Sequence, residues 1–315
     1  MSAARVRSLG VVGGGGFGQA LAHAALRTGH RVHLWSRREL PAVERLTVTH
    51  DLAAVATADL IFVAVPSSHV VETAKALGEH LEGRHLVVHV SRGLVGDRLD
   101  TVSKVLRTQT AARRVGCLAG PLGADTLRDG LPGGGVIGTA FPEVAAAVCE
   151  VVSGPSLRIY ETDDVLGVEL SSALVGLLAL SLGFAQELGF GPGTLSVLMT
   201  RGLAEVTRFG VALGADARTF SGMAGVGDMM AAAFGDTRPE VLLGRSLARG
   251  RSPEDAAREA GAYVEGVQIA RRVASRAKQL GIETPIADAI AQVVEGTLTP
   301  RGALEHLMQR KVRRE

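Results

Sequence analysis

The sequence predicts an α/β fold in which a doubly wound parallel sheet is followed by an all-helical domain. Short apolar, β-branched runs alternate with helical segments from Val6 to about Tyr160, and no strand-like run follows Thr162. Apolar runs of about four to eight residues between longer helices are typical of a parallel sheet covered on both faces. With 315 residues, 46% of them hydrophobic, the chain can bury two moderate cores. We therefore expect two domains, 1–162 and 163–315.

Five runs in the first domain are predicted to be strands: VRSLGVVG, RVHLWS, DLIFVAVP, RHLVVHVS and RVGCLAG. A glycine-rich patch, RDGLPGGGVIGTA, interrupts the alternation before a helix, PEVAAAVCEVV, and a further strand, SLRIYE. In the second domain, Asp163 or Asp164 begins the first helix, and prolines stand at later helix starts: Pro253, Pro285 and Pro300. The second domain is therefore predicted to be helical throughout.

The composition excludes several classes of protein. The formal net charge is only +2, from 34 basic and 32 acidic residues, so the chain has no strong field for nucleic-acid binding. The two cysteines, Cys117 and Cys149, form no C-x-x-C pair and no His/Cys cluster with metal-ligand spacing. We therefore expect no nucleic-acid partner, no metal site and no disulfide. A reducing cytoplasmic location fits this cysteine usage best.

Neither the N-terminus nor the apolar interior of the sequence predicts a membrane segment. MSAARVRSLGVVGGGG runs directly into a strand and a glycine turn, without the apolar core of a signal peptide. The uncharged run from Leu170 to Ala185 is shorter than the roughly 20 residues that span a bilayer. We expect a cytoplasmic protein without a membrane partner.

A glycine turn near the N-terminus carries the first functional signal. In VVGGGGFGQALAHAALR, Gly13, Gly15 and Gly18 stand in G-x-G-x-x-G register directly after a strand and at the start of a helix. The first glycine permits a tight turn, the second lets the backbone approach a pyrophosphate, and the third lets the helix pack on the strand. This context predicts a Rossmann-type dinucleotide site. A glycine-rich turn with only a structural role is the alternative.

The end of the second strand indicates which dinucleotide binds. Folds that prefer NAD usually place Asp or Glu there for the ribose hydroxyls, whereas this chain has Ser36, Arg37 and Arg38. Two arginines at this point favour a 2′-phosphate, so we expect NADP(H) as the preferred cofactor, with NAD(H) as a second one. The alternative is that both arginines belong to a solvated helix start.

Several motifs in a fixed order carry a resemblance to a known family. They are GGGGFGQALA, VAVPSS, SRGL, GPLGAD, DDVLGVELSSAL, MTRGLAEVTRFGVALGA, TFSGMAGVGDM and VEGV. With these motifs the chain resembles, over nearly its whole length, the bacterial-type NAD(P)-dependent glycerol-3-phosphate dehydrogenases. The resemblance implies a homodimer that acts on a small molecule. The glycine turn, the end of the second strand and the resemblance together give the expected dinucleotide-binding residues: Gly13, Gly15, Gly16, Phe17, Gly18, Arg37, Arg38, Pro66, Ala124 and Glu265.

The resemblance fails at residues that carry catalysis in the family. Where the family has a lysine, its proton donor, followed by an asparagine, this chain has Val175 and Gly176. The Arg-Asn pair that binds the glycerol phosphate corresponds to Pro239 and Glu240. Other departures replace polar residues of the family: Leu122, Pro192, Gly193 and Ala232. The chain is thus predicted to be a divergent member that lacks the catalytic lysine and the phosphate-binding pair.

These departures predict a different substrate. A phosphate dianion in a cleft requires paired cations or converging N–H donors, because an unpaired buried charge costs several kcal/mol. The carboxylate of Glu240 would repel such a dianion. Carbonyl reduction also places negative charge on oxygen, and a cation or acid there commonly changes the rate about 100-fold or more. Val175 cannot supply that charge.

Two residues, Asp228 and Arg92, are the candidates for catalytic roles. Asp228 lies in a glycine-flanked turn and is retained where its neighbours depart from the family, so we expect it to contact the substrate or a proton. Helix capping is the alternative for Asp228. By analogy Arg92 stands beside the nicotinamide, with a surface ion pair as its alternative. Glu169 is expected to be structural, and so is His89, although a histidine near this strand tip could donate a proton.

Three functions are compatible with these observations. The first is an NADP(H)-dependent reductase that transfers hydride to the C=N or C=O group of a small substrate other than glycerol phosphate. An iminium carbon suits an apolar pocket because it already carries positive charge and needs no acid. The second is the family's own reaction, with Lys104 or Arg245 entering the cleft to replace the lysine. The third is a dinucleotide-binding homodimer that acts as a sensor or partner protein without catalysis.

Overall fold

An eight-stranded sheet forms the first half of the chain. The computed structural model describes residues 8–235, 238–260 and 266–310. The strands of these residues are, in chain order, β1 (Ser8–Val12), β2 (Arg31–Trp35), β3 (Leu46–Thr49), β4 (Leu60–Val63), β5 (Leu86–His89), β6 (Arg114–Ala119), β7 (Gly133–Thr139) and β8 (Leu157–Thr162). The described residues contain no strand after β8.

Helices cover the sheet and make up the second half. Those of the sheet half are α1 (Gly16–Arg27), α2 (Leu52–Val55), α3 (Ser67–Gly78), α4 (Val102–Gln109), α5 (Ala124–Asp129) and α6 (Pro142–Val152). Those of the helical half are α7 (Val165–Glu187), α8 (Pro192–Ala212), α9 (Ala217–Ser221), α10 (Asp228–Phe234), α11 (Pro239–Ala248), α12 (Pro253–Glu259), α13 (Gly266–Leu280), α14 (Pro285–Val294) and α15 (Pro300–Met308). A π-helical segment, Met223–Gly227, precedes α10. Prolines begin α12, α14 and α15, as the sequence predicts.

The strand order makes the sheet doubly wound. Across the sheet the order is β3-β2-β1-β4-β5-β6-β7-β8, and all neighbours are parallel except β6 and β7. The chain proceeds from β1 toward one edge and then crosses back to β4 and proceeds toward the other. The carboxyl ends of β1, β2, β4, β5 and β6 therefore meet at one side of the sheet, where ligands bind in open α/β folds. The predicted fold class is confirmed.

The sheet differs from the sequence prediction at β3 and β7. The short edge strand β3 pairs only with β2 and lies in a segment for which no strand was predicted. The glycine-rich patch that interrupts the alternation in the sequence forms β7, which pairs antiparallel with β6 and is an exception in the otherwise parallel sheet. A Cβ at Gly135 would lie 2.4 Å from Leu122 Cδ1, and one at Gly138 would lie 3.0 Å from Val168 Cγ2. The glycines therefore let β7 pack closely against its neighbours.

Apolar side chains that alternate along the strands bury both faces of the sheet. In β4, Leu60 and Phe62 belong to the core under α1, α5 and α6. Ile61 and Val63 belong to the core under α2, α3 and α4. Each such buried side chain contributes about 1.5–3 kcal/mol relative to an exposed one. The continuous apolar run LIFV is therefore typical of a strand buried on both faces.

Helix α7 is the centre of the helical half. All of its residues in the range Gly167–Ala185 are buried. A Cβ at Gly183 would lie 2.2 Å from the carbonyl oxygen of Val241, so α11 approaches α7 at backbone distance. With 23 residues, α7 is long and apolar enough to cross a membrane, and the sequence argument from length was wrong. However, 89% of its most apolar segment is buried inside the protein, so α7 is a core helix.

A single carboxylate organises the passage from the sheet to the helices. β8 ends at Thr162, and Asp164 caps α7 by accepting a hydrogen bond from Gly167 N at 2.9 Å. The other oxygen of Asp164 accepts from Asp216 N at 3.0 Å and from Thr219 Oγ1 at 2.6 Å. Asp164 therefore caps α7 and also holds α9 against it.

Candidate active site

The glycine turn lies between β1 and α1, at the carboxyl ends of the strands. Gly13 has a φ of +126°, a conformation that favours glycine, and a Cβ there would lie 2.4 Å from the carbonyl oxygen of Ala64. A Cβ at Gly18 would lie 1.9 Å from the carbonyl oxygen of Gly13. The turn therefore requires glycine at both positions.

The middle of the turn is open. No atom lies within 4 Å of the position that a Cβ would occupy at Gly15 or Gly16, and both residues are exposed. Gly15 caps α1 without a side chain, so the first backbone N–H groups of the helix have no side-chain partner there. Such a helix N-terminus attracts anionic groups. Phe17 follows and packs, partly buried, against the core of the sheet.

The end of β2 lies beside the glycine turn. A Cβ at Gly14 would lie 2.3 Å from Ser36 Oγ. That hydroxyl accepts a hydrogen bond from Arg38 N at 3.1 Å and donates to Arg38 O at 2.8 Å, which forms a tight turn after the strand. Arg37 and Arg38 are exposed. The two arginines thus follow β2 directly next to the glycine turn.

The other predicted cofactor residues follow neighbouring strands. Pro66 comes after β4, caps α3 and is exposed. Ala124 begins α5 after β6 and is partly buried. Because β4 and β6 end at the same side of the sheet as β1 and β2, these residues border the same crevice. Glu265 lies outside the described residues.

The two candidate catalytic residues approach each other. Arg92 lies in the loop after β5, and its Nη2 is 3.5 Å from Oδ1 of Asp228, the first residue of α10. The side chain of Asp228 is 1% exposed, whereas that of Arg92 is 31% exposed. Arginine side chains, not the backbone of α10, are therefore the partners of Asp228, which disfavours helix capping as its role. The contact links the sheet to the helical half.

A second arginine, Arg238, is the main partner of Asp228. Arg238 Nη1 donates to Asp228 Oδ1 at 2.9 Å and to Asp228 O at 3.1 Å, and Nη2 donates to Oδ2 at 3.2 Å. Arg238 Nε donates to Glu240 Oε2 at 3.2 Å. The side chain of Arg238 is only 8% exposed. Of the five N–H groups of a guanidinium, four are therefore bound within the protein.

These four side chains form a charge-balanced cluster, which we call the Arg238 cluster. Arg92 and Arg238 carry two positive charges, and Asp228 and Glu240 carry two negative charges. Burial opposes the charge on Arg238, but Asp228 and Glu240 outweigh it, so the pKa of Arg238 lies above its ordinary value. Buried ion pairs of this kind are stable only while both partners are present.

Helix α7 contacts the Arg238 cluster near Val175 and Gly176, the two positions at which the resemblance implies lysine and asparagine. Val175 is fully buried in the helical core. A Cβ added at Gly176 would lie 3.4 Å from Glu240 Oε1. Glu240 therefore contacts α7 at Gly176, the position at which the resemblance implies an asparagine. Arg238 binds the other oxygen of Glu240.

The two cations that the sequence analysis considered as replacements for the lysine lie elsewhere. Lys104 Nζ is 2.6 Å from Asp100 Oδ1, in an exposed ion pair. Arg245 donates two hydrogen bonds to Gln186 Oε1, at 2.9 and 3.2 Å. The structure therefore places neither side chain in the Arg238 cluster.

A buried histidine–carboxylate pair lies at the end of β5, close in sequence to Arg92. His89 Nε2 is 2.8 Å from Glu169 Oε1, and their side chains are 1% and 4% exposed. The same oxygen accepts a hydrogen bond from Ser103 N at 2.8 Å, at the start of α4. Burial opposes the charge on His89, but contacts with Cys117 and Glu169 raise the pKa of His89 to about 10. The pair ties β5 to α7, in agreement with the expected structural roles of both residues.

A groove of about 780 Å³ lies away from the Arg238 cluster, between β7, β8, α9 and the π-helical segment. Tyr160, Asp163, Arg218 and Met223 are among its lining residues. None of the predicted site residues lines this groove.

Arg238 is the site residue that the sequence analysis missed. It stands directly before Pro239 and Glu240, the two positions identified as departures from the resembled family. A local signal existed, because R-P-E places a cation and a carboxylate two residues apart at a helix start, where they can pair. The pairing of Arg238 with Asp228 joins α10 to the start of α11 and has no local signature.

The fold and the site together define a class of protein. An open glycine turn at the point where a doubly wound sheet reverses, followed by a helical half that supplies buried charged residues, is typical of dinucleotide-dependent dehydrogenases. A family model described as NAD-dependent glycerol-3-phosphate dehydrogenase C-terminus matches residues 164–305. A second, described as the N-terminus of the same enzyme, matches residues 39–145.

Curated relatives carry the same enzyme name. The NAD(P)+ glycerol-3-phosphate dehydrogenase of Paucimonas lemoignei is 36% identical over 98% of this chain and 98% of its own length. That of Moorella thermoacetica is 37% identical over 91% of each chain. A solved structure of glycerol-3-phosphate dehydrogenase from Coxiella burnetii superposes with a TM-score of 0.91 at 24% identity, covering 96% of this chain and 99% of that chain.

The chain belongs to the NAD-dependent glycerol-3-phosphate dehydrogenase family. The family models match most of its length, and relatives above 30% identity cover nearly all of it. The resemblance stated from the motifs is thereby confirmed at the level of the family. The chain is accordingly an NAD(P)-dependent dehydrogenase, and the predicted class of cofactor is confirmed with it.

Proposed function

We propose that this chain is an NADP(H)-preferring reductase that transfers hydride to the C=N or C=O group of a small substrate other than glycerol phosphate. The proposal treats the chain as a divergent member of its family, without the catalytic lysine and the phosphate-binding Arg-Asn pair. The observation that carries it is the Arg238 cluster. Its arginine in the helical half is bound by the protein's own carboxylates, so it is not available to a phosphate.

The residues of the glycine turn fit a dinucleotide. Open space at Gly15 and Gly16 and the uncapped start of α1 supply what a pyrophosphate needs, namely room and N–H donors. Arg37 and Arg38 would bind the 2′-phosphate of NADP(H), which favours it over NAD(H). Pro66 and Ala124 would border the cofactor in the same crevice. When bound, the cofactor supplies a hydride from its nicotinamide.

The substrate half fits a phosphate poorly. Four of the N–H groups of Arg238 bind Asp228 and Glu240, so a phosphate would have to displace a carboxylate from a nearly buried guanidinium. Arg92 is the more exposed cation of the cluster, and its charge is offset by Asp228 at 3.5 Å. A dianion placed here would meet a site with no net positive charge. Arg92, paired with the buried Asp228, would instead orient an uncharged group beside the nicotinamide.

The proposed reaction requires little chemistry from the protein's own side chains. In carbonyl reduction the oxygen gains negative charge, and Arg92 is the exposed cation that could stabilise it. In C=N reduction the positive charge of an iminium disappears as hydride arrives, and no acid is required. Val175, fully buried and apolar, supplies no proton in either case. Reduction of a C=N bond therefore makes the smallest demand on this site.

Fluorescence titration and an oxidation assay test the proposal. We expect purified protein to bind NADPH more tightly than NADH, and to oxidise NADPH with at least one compound from a panel of cyclic imines and small ketones. We expect no oxidation with dihydroxyacetone phosphate at millimolar concentration. Protein that does not bind NADPH, or that reduces dihydroxyacetone phosphate faster than every other compound, would contradict the proposal.

A second candidate function is the family's own reaction, reduction of dihydroxyacetone phosphate to sn-glycerol 3-phosphate. It is supported by relatives of 36% and 37% identity that carry this name, and by the presence of two arginines in the cluster. The phosphate would then have to bind Arg92, or replace a carboxylate on Arg238. Robust turnover of dihydroxyacetone phosphate would favour this candidate over the first.

The organisation of the chain adds further proposals. We place the boundary between a dinucleotide-binding domain, 1–162, and a helical domain for substrate and dimerisation, 163–315, in the short link between β8 and α7. We also propose that the chain forms a homodimer and is located in the cytoplasm. Sedimentation analysis of the purified chain tests the homodimer, and a monomer at micromolar concentration would contradict it.

A further inference from the structure

The carboxylate of Glu240 has one oxygen that no other described residue binds. Oε2 accepts the hydrogen bond from Arg238, whereas no described donor lies within hydrogen-bond distance of Oε1. Oε1 is 3.4 Å from the position that a Cβ would occupy at Gly176, so it faces α7 at a residue without a side chain. We propose that Glu240 determines substrate specificity by binding the positively charged nitrogen of a protonated imine. This inference rests on the function proposed above and names its substrate class.

Glu240 is the carboxylate of the cluster that can reach a ligand. Both oxygens of Asp228 are bound by Arg238, and its side chain is 1% exposed. Glu240 is 15% exposed and is bound through one oxygen only. The hydrogen bond from Arg238 fixes the plane of the Glu240 carboxylate, which directs Oε1 without neutralising it fully. An N–H group of a cation is the partner that such an oxygen lacks.

The charge balance of the cluster favours a cation over an anion. With two arginines and two carboxylates, the cluster has no excess positive charge for a phosphate. A phosphate at Gly176 would place two further negative charges next to Glu240, in a region that is largely shielded from water. A monocation at the same point would pair with Glu240 directly. Glu240 therefore determines whether a cation or an anion binds here. It corresponds to the asparagine of the family's phosphate-binding Arg-Asn pair.

The reaction balances without a proton donor. A hydride from NADPH forms the new C–H bond at the iminium carbon, and the two electrons of the C=N π bond become the lone pair of the nitrogen. NADPH is oxidised to NADP+, and the substrate becomes a neutral amine that takes a proton from water. The amine is then again a cation that Glu240 can bind, so product and substrate are recognised through the same oxygen.

A binding experiment tests this inference without any turnover. Pyrrolidine, which is a cation at neutral pH, is titrated by calorimetry into the complex of the protein with NADP+. Tetrahydrofuran serves as the uncharged ligand of the same size, and glycerol 3-phosphate as the anion. We expect pyrrolidinium to bind at least tenfold more tightly than either of the other two compounds.

Three variants identify the residue responsible. Glu240→Gln keeps the size of the side chain and an oxygen for Arg238, and should weaken pyrrolidinium binding at least tenfold, about 1.4 kcal/mol. Gly176→Ala keeps the charge but puts a methyl group 3.4 Å from Oε1, and should weaken it comparably. Glu187→Gln is the matched control, because Glu187 also lies beside an arginine, Arg249, but outside the cluster. It should leave binding unchanged.

The outcomes separate this inference from the proposed function. Protein that binds NADPH but binds glycerol 3-phosphate more tightly than pyrrolidinium overturns the inference alone. So does pyrrolidinium binding that Glu240→Gln leaves unchanged while the variant keeps the thermal stability of the parent protein. Protein that binds no NADPH overturns both. A variant that fails to fold is replaced by Gly176→Ala, whose methyl group meets only ordinary contact distances.

Discussion

The glycine turn and the Arg238 cluster use the space of the candidate active site in opposite ways. At Gly15 and Gly16 the backbone is exposed and no neighbouring atom fills the space in front of it. In the Arg238 cluster, Arg238 and Asp228 are almost wholly buried and bind each other. One region is prepared for a ligand that brings its own negative charge, while in the other the charges of Arg238 and Asp228 are paired within the protein. The structure therefore supports binding of the family's cofactor more directly than binding of the family's substrate.

The largest effect should come from Arg238→Met, which leaves the buried carboxylate of Asp228 with only the more distant Arg92. Removing one partner of a buried ion pair costs about 3–5 kcal/mol, and we expect the free energy of unfolding, measured with urea, to fall by that amount. NADPH affinity should remain within about twofold of the parent protein if the two regions are separate. A large loss of NADPH binding in folded protein would show that the glycine turn and the Arg238 cluster depend on each other.

The control for this variant is Arg249→Met. Arg249 and Glu187 are 56% and 27% exposed, and such surface pairs contribute about 0–1 kcal/mol. If Arg249→Met and Arg238→Met lowered the free energy of unfolding equally, the Arg238 cluster would not depend on its buried ion pairs.

The glycine turn supplies the next largest effect. Gly18→Ala would place a Cβ 1.9 Å from the carbonyl oxygen of Gly13, so the turn must shift. We expect the free energy of unfolding to fall by about 3 kcal/mol, and NADPH binding to be lost in a fluorescence titration. Gly15→Ala meets no atom within 4 Å in the free protein and should leave stability unchanged while it weakens NADPH binding. Equal stability losses in both variants would contradict this division of roles.

The parts of the molecule that the sequence predicted correctly are those with local signatures. Apolar runs of the right length predict the central strands, and a G-x-G-x-x-G turn after the first strand predicts the open turn at Gly15. β7 was missed because glycine has low strand propensity and its use here depends on close packing against Leu122 and Val168, which lie apart from it in the sequence.

The Arg238 cluster could be predicted only in part, because its contacts join distant segments. Asp228 and Arg92 were identified from motifs at the ends of elements, and the structure brings them to 3.5 Å. The hydrogen bonds from Arg238 to Asp228 join α10 to the start of α11, and no periodic pattern in the sequence predicts them. The effect of Glu240 also depends on Gly176, which is distant in the sequence. A sequence motif identifies candidate residues, whereas the fold shows which of their charges are paired.

A smaller effect should appear in the pH dependence of stability, since His89 and Glu169 join the sheet to the helical half. The pKa of His89 is raised from 6.5 to about 10, and the groups that face it are Glu169, Cys117 and the backbone N–H of Ser103 bound to Glu169. A raised histidine pKa contributes stability that is complete below about pH 6.5 and is lost as the pH rises toward 10. We therefore expect the free energy of unfolding to fall as the pH rises from 7 to 10.

His89→Gln checks the origin of this loss, because glutamine does not titrate. Its free energy of unfolding should vary less between pH 7 and 10 than that of the parent protein. His85→Gln is the control: His85 is also buried, next to the other end of β5, with Nε2 2.8 Å from the carbonyl oxygen of Ala56. The pH dependence of the His85→Gln protein should match the parent. A flat profile in the parent protein would contradict the prediction.

The smallest effect concerns the choice between NADP(H) and NAD(H) at the open region. Replacing Arg37 and Arg38 together with alanine removes two exposed cations that would bind the 2′-phosphate, and we expect NADPH affinity to fall about tenfold, which is about 1.4 kcal/mol. NADH affinity should not change, because NADH lacks that phosphate. Arg31→Ala, at the opposite end of β2 and also exposed, should alter neither affinity. Equal losses for NADPH and NADH in the double variant would assign both arginines to a solvated helix start instead, and would leave the cofactor preference to other residues of the crevice.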